Sequence, residues 1–246
     1  MEHLGLVAGV LKDLKIIEMI DERLGKYEGE NLTAGEAVAG MIINGMRFSG
    51  KPLSLNPLFF ENCPVELLFR EGVDAADFNR FKLGRVLDRC YNYGTELLFS
   101  EIALNVCRQE KVETSFNSED TTSFVVYGNY ATDESNQTAT DENNQTVTDE
   151  SNQTAIDESN QTETGEAIIE VKHGYSKAHR PDLKQIMLEM MVSQDGGIPL
   201  MGKCFRSHAS DNVVFKERSE KLIEQFKESE TPRYLIADSK MVYREK

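Results

Sequence analysis

Two aspartates stand where this chain could do phosphate chemistry. Asp120, in NSEDTTSFVVYGNY (residues 117–130), precedes an alternating apolar run through Phe124, Val125, Val126 and Tyr127, and Asp238 ends the segment YLIAD. The alternation predicts a strand opening behind Asp120, and YLIAD reads as a second one. If those strands are neighbours, both carboxylates project near one sheet edge, where hard oxygen ligands could hold Mg²⁺ or Mn²⁺. Two such ions about 3.5 to 4 Å apart suit in-line attack on a phosphodiester, one activating the nucleophile and the other stabilising the leaving oxygen. A local reading competes: Asp120 caps a turn through the Thr121 or Thr122 amide, and Asp238 caps SKMVY. Spacing alone leaves both open.

The densest basic cluster near the pair is in GYSKAHRPDLKQ, with Lys177, His179, Arg180 and Lys184, and with Lys172 upstream. Phosphate contacts from such a patch would be salt-sensitive, and a solvated loop is the plainer alternative. The formal charge of −15 is concentrated in residues 132–163, which hold nine acids and no Lys or Arg, so the remainder carries −6. That balance excludes a broadly basic DNA coat and leaves room for a local patch.

Cys63, Cys90, Cys107 and Cys204 lie far apart with no CxxC pair, which suits a reduced intracellular setting rather than a disulfide or zinc framework. The start has no basic-then-apolar signal pattern, and no run approaches the ~20 apolar residues of a membrane span. A soluble, cytoplasmic protein is expected. Four NQT sequons, at Asn136, Asn144, Asn152 and Asn160, are by-products of a repeat.

The elements that must position these residues fall into two kinds. From Leu4 to about Glu110 the pattern is helical, with Leu6, Val10, Leu14, Ile17 and Ile20 recurring at three and four residues. In LTAGEAVAGMIINGM, Thr33 and Glu36 have the spacing of a capping box, with Val38, Met41 and Ile42 as the buried stripe. Further on, Leu83, Val86, Leu87 and Cys90 share a face, Gly94 stops that helix, and Thr95 caps the next. After Val112 the period changes to 2: SFVVYGNY, AIIEVK, QIMLEMMVS, IPLMGKCF and YLIAD read as strands, DGGIP as a hairpin turn, and NVVFKERSEKLIEQFKE as a helix. Four copies of an octapeptide, residues 132–163, carry too little apolar surface to offset ordering and read as a solvated, disordered loop. The expected class is α+β: an all-helical domain over residues 1–112, then an α/β domain over 113–246 interrupted by the repeats.

EDTTSFVVYGNY, HGYSKAHRPDLKQIMLEMMVSQDGGIPL, SHASDN and YLIADSKMVY, in that order, resemble the transposase domain of the IS1634 group of IS4-type DDE transposases. LTAGEAVAGMIINGMRFSGKPLSLNPLFFENCPVELL and NRFKLGRVLDRCYNYG resemble the helical domain that accompanies it. The resemblance implies a partial RNase H-like fold in residues 113–246, catalytic and metal-binding Asp120 and Asp238, Mg²⁺ or Mn²⁺ as cofactor, transposon-end and target DNA as partners, and a homodimer. It turns the basic cluster toward DNA. A third family carboxylate, a Glu on a helix after the second Asp, finds no match; Glu245 lies only seven residues past Asp238. A truncated transposase with little cleavage activity is therefore expected, with two rivals: a non-catalytic DNA-binding remnant, and an interaction protein that uses the repeats as a charged tether.

Overall fold

The computed structural model describes residues 2–46, 51–128, 171–173, 182–206 and 234–237, together with Ile169 and Arg180. The chain divides into two compact units, Met1–Glu113 and Thr114–Lys246. Helices make up the described elements of the first, and strands those of the second, a mixed helix-and-sheet protein of α+β class.

In the helical unit, α1 (Glu2–Asp13) and α2 (Ile16–Leu24) are separated at Leu14 and Lys15, and Lys15 takes the left-handed φ of 54°. The break resets the helical phase. Leu4, Ala8 and Leu11 turn inward, followed by Ile16 and Ile20, whereas Leu6 and Val10 are 69% and 54% exposed. A single stripe through Leu6, Val10 and Ile20 needs one continuous helix, which the chain does not form.

Helix α3 (Ala34–Gly45) begins as its sequence suggests. The Glu36 N–H donates to Thr33 Oγ1 at 3.1 Å and the Thr33 N–H to Glu36 Oε2 at 2.8 Å, completing the capping box. The Gly35 N–H donates to the buried Asp21 carboxylate at 2.7 Å. Donors that a helix start leaves unpaired are thus satisfied by side chains. Its buried face, however, is Ala37, Gly40, Ile43 and Asn44, while Ile42 points outward and Val38 and Met41 are half-buried. Small residues win that face because the neighbours come so near. A Cβ on Gly35 would meet the Ile17 carbonyl oxygen at 2.2 Å, and one on Gly40 the Phe78 ring at 2.3 Å.

Short helices α4 (Asn56–Phe60) and α5 (Val65–Leu68), with the 3₁₀ turn Ala75–Phe78, deliver the aromatic centre of this core. Phe60 and Phe78 are fully buried with ring centroids 4.4 Å apart, and Phe69 lies 5.0 Å from Phe78. Each buried ring contributes about 1.5–3 kcal/mol of transfer free energy. Helices α6 (Arg80–Tyr93) and α7 (Thr95–Gln109) follow. Asn79 caps α6 by accepting the Lys82 N–H at 3.0 Å. Gly94, at φ 98°, ends α6 and occupies the cap position of α7, so Thr95 is the first helical residue rather than the cap. Leu83 and Val86 are buried, but Leu87 is 46% exposed.

The second unit holds a five-stranded sheet: β1 (Phe116–Val126), β2 (Lys172–His173), β3 (Lys184–Ser193), β4 (Pro199–Arg206) and β5 (Tyr234–Ala237). Along its length β3 pairs antiparallel with β1, and its other edge pairs antiparallel with β4 and, beyond it, with β2. The outer edge of β1 pairs with β5 in parallel. Gly196 and Gly197, at φ 73° and 62°, make the β3–β4 turn that DGGIP predicts. Strand β1 starts at Phe116, well before the expected SFVVYGNY, so Asp120 sits inside the strand and not at its mouth. Strand β3 partners the backbone of residues 117–126 and β5 that of residues 116–119, which outweighs the low strand preference of Asn, Ser and Asp. The octapeptide repeats and the helix read in NVVFKERSEKLIEQFKE lie outside the described residues.

Candidate functional site

Side chains alternate across β1, and the alternation separates its two neighbouring acids. Asn117, Glu119 and Thr121 turn to a buried face shared with Gln185, Glu189 and Ser193 of β3, and Glu119 is only 3% exposed. Asp120 projects to the other face, where it is exposed opposite Met190. Its Oδ1 accepts the Thr121 N–H at 2.7 Å, the local bond that the capping alternative calls for. Oδ2 makes no hydrogen bond with a described residue. On the same face Phe116 and Tyr234, opposite each other in the β1–β5 register, stack at 4.7 Å with planes 11° apart and stay about half exposed.

Glu119 lies opposite Ala237 in the parallel β1–β5 pairing. Asp238, the next residue of the chain, lies outside the described residues, as do Lys177 and His179. Among the described residues no group of three His, Cys, Asp or Glu side chains could hold a metal ion.

The sheet brings part of the basic cluster together. Lys172 pairs with Gln185 and His173 with Lys184 across β2 and β3. Arg180 is spoken for: Nε and Nη2 donate to Asp182 Oδ1 and Oδ2 at 2.8 and 2.7 Å. That forked contact pushes the guanidinium pKa up and holds the Asp182 carboxyl below its usual range. Lys184 is registered against Val126 and Met190 against Asp120. Six residues of strand therefore separate the cluster from Asp120, about 20 Å.

A second basic surface, outside the residues that the sequence patterns single out, sits on α6. Four cations fall in its fourteen residues, RFKLGRVLDRCYNY, and the helix sorts them by side. Lys82 and Arg89 turn inward onto Glu30 at 2.9 and 3.4 Å. Arg89 also donates to the Leu24 carbonyl at 2.7 Å and to the Gly25 carbonyl, and lies over the Tyr27 ring. Arg80 and Arg85 are exposed and form no ion pair with a described residue; the Arg80 guanidinium lies 4.7 Å from the centroid of the Phe81 ring, itself 64% exposed.

Residues 1–104 match the family model described as Domain of unknown function (DUF4277). The DUF4277 match runs from α1 into α7 and so contains both sides of α6, whereas Asp120 and the Lys172–Lys184 cluster follow it. Neither a curated protein nor a solved structure matches the chain. No helix among the described residues is long and apolar enough to cross a membrane.

Proposed function

We propose that this chain serves DNA transposition of the DDE kind, with Asp120 and Asp238 as the carboxylates that hold Mg²⁺ or Mn²⁺ at the scissile phosphate. The observation that carries the proposal is the parallel β1–β5 register, in which Glu119 faces Ala237 and the next residue along each chain is an aspartate. The strand order β4-β3-β1-β5, antiparallel through β1 and then parallel, is what an RNase H-like core calls for and supports that expectation. A parallel return needs a crossover of a dozen or more residues, and residues 207–233 supply that length.

Asp120 fits a hard divalent cation as one ligand: its carboxylate is exposed, one oxygen is oriented by the Thr121 N–H, and the other is not hydrogen-bonded among the described residues. A bound ion would polarise the phosphate and activate the attacking hydroxyl. The chain's own part is to fix the Asp120 backbone against Met190 of β3 and to keep Glu119 away, on the opposite face. Lys184, about 20 Å off along β3 and registered on the Asp120 face, would meet a phosphate about six base pairs from the reacting one, since duplex DNA rises 3.4 Å per step.

Mn²⁺ titration by calorimetry, alongside nicking of supercoiled plasmid, tests the proposal on the full chain. Asp120→Asn and Asp238→Asn should each weaken Mn²⁺ binding by about tenfold or more while leaving the melting temperature unchanged. Wild-type affinity in both variants would overturn it.

A further inference from the structure

We infer that the stacked rings of Phe116 and Tyr234 are a register lock: they fix how far β5 sits along β1, and so position Asp238 against Asp120. The inference rests on the carboxylate reading above and names positioning residues that reading does not include. Three observations carry it.

Among the described residues, β5 has little else to set its register. The strand is four residues long and pairs in parallel with β1, from Phe116 opposite Tyr234 to Glu119 opposite Ala237. Parallel backbone bonds are evenly spaced, so a slip of two residues would make them equally well. The sequence YLIA is apolar or aromatic throughout, and a slip exposes no polar side of the strand as a penalty. One residue of slip turns Tyr234 to the Glu119 face; two keep its face but carry the end of β5 about 7 Å along β1. Carboxylates that share one divalent ion reach it at roughly 2–2.6 Å each, so an offset of that size parts them.

The rings break this degeneracy. Phe116 and Tyr234 lie opposite each other with centroids 4.7 Å apart and planes at 11°, a contact that a slip in either direction removes. Aromatic pairs of such geometry contribute beyond the area they cover. At the next position on this face Ile236 lies opposite Ser118, whose hydroxyl accepts from the Gln194 side-chain amide, so the match is not repeated there. Phe116 and Tyr234 are the one ring pair of the sheet among the described residues.

Phe116 is also tied down from its other side. The Gln194 N–H donates to the Phe116 carbonyl at 2.9 Å, which fixes the start of β1 to the end of β3, and the Tyr234 N–H donates to the Ser115 carbonyl at 2.6 Å. The ring contact therefore passes the position of β3 and β1 on to β5. Counting in twos, Phe116 shares a strand face with Asp120, four residues on, and Tyr234 precedes Asp238 by the same four residues. Four residues of strand are about 13 Å, so the rings act on the ion through the strand and not by touching it. Both stay about half exposed, outside any core.

The test is Mn²⁺ titration of the full chain by calorimetry, with hydrogen exchange of the amides of residues 234–237 read beside it. Tyr234→Ala should weaken Mn²⁺ binding about three- to tenfold, the worth of one aromatic pair, and speed exchange in β5 with the melting temperature little changed. Phe116→Ala, the same loss made from β1, should match it. Tyr234→Phe keeps the ring and should retain wild-type affinity. In an Asp238→Asn background Tyr234→Ala should weaken binding no further, because the ring acts on the ion only through that carboxylate. Wild-type affinity in both alanine variants, or a full additional loss in the Asp238→Asn background, overturns the inference. Faster β5 exchange in Tyr234→Ala, with Mn²⁺ binding indifferent to Asp238→Asn, would instead overturn the carboxylate proposal and leave the register lock standing.

Discussion

The Lys82 ammonium lies 2.9 Å from the Glu30 carboxylate on the inward side of α6, with Arg89 adding a second cation at 3.4 Å. Burial pushes the Glu30 carboxyl up, but the Lys82 hydrogen bond and charge, with Arg89, outweigh it and hold the group below its usual value of 4.5. A carboxyl depressed in the folded state contributes stability above its unfolded pKa and loses it as pH falls through the folded one. Urea midpoints should therefore drop as pH falls below 4.5. Glu30→Gln should flatten that acid limb and cost about 1–3 kcal/mol at neutral pH, because Lys82 and Arg89 then keep buried charge against a neutral amide. An acid limb as steep as wild type would show that other carboxylates govern it.

The α2–α3 contact makes an equally sharp stability prediction. Gly35→Ala drives a methyl to 2.2 Å from the Ile17 carbonyl oxygen, a backbone atom that cannot step aside as a side chain would. It should cost about 2 kcal/mol or more, the range of severe overpacking. Gly9→Ala in α1 is the control: its Cβ meets nothing within 4 Å, so helix propensity alone acts and stability should rise by about 0.5–1 kcal/mol. Denaturant midpoints of the two variants should move in opposite directions.

Local chemistry is legible in the sequence where a few neighbouring residues decide the outcome. Thr33 and Glu36 form their capping box, Gly94 ends α6, and the paired glycines turn β3 into β4. Choices that depend on the other side of an interface are not. The buried face of α3 is set by how closely Ile17 and Phe78 approach, which favours Gly35 and Gly40 over the bulkier Val38, Met41 and Ile42. The start of β1 is set by β3 and β5, which draw Asn117 to Asp120 into a strand that those residues alone would not choose. At the candidate site, the division of Asp120 from Glu119 follows only from β1 starting at Phe116, which puts both acids inside the strand on alternate faces. The Arg180–Asp182 pair and the outward guanidinium groups of α6 emerge only in three dimensions, because charge counts do not say which cations are already matched.

Adjacent acids on opposite faces of β1 should respond differently to truncation. Asp120→Ala removes an exposed carboxylate and one local bond to the Thr121 amide, so stability should stay within about 0.5 kcal/mol of wild type. Glu119→Ala empties a site that is 3% exposed, opposite the buried Met191 on the face that also holds Glu189, and should cost about 1–3 kcal/mol. Equal destabilisation in thermal denaturation would mean that the two side chains do not divide between the faces.

The octapeptides offer a prediction about topology. They fall between Val126, the last residue of β1, and Lys172, the first of β2, both of which are registered on the same end of β3 through Lys184 and Gln185. The ends of the connection are therefore close whatever its length, and deleting residues 132–163 leaves enough chain to join them. Closure entropy scales as (3/2)RT ln n, so the shortened loop should stabilise the sheet by roughly 1 kcal/mol. Denaturant melts of the deletion variant check it. A destabilised sheet would mean that the repeats pack against it, contrary to what their composition implies.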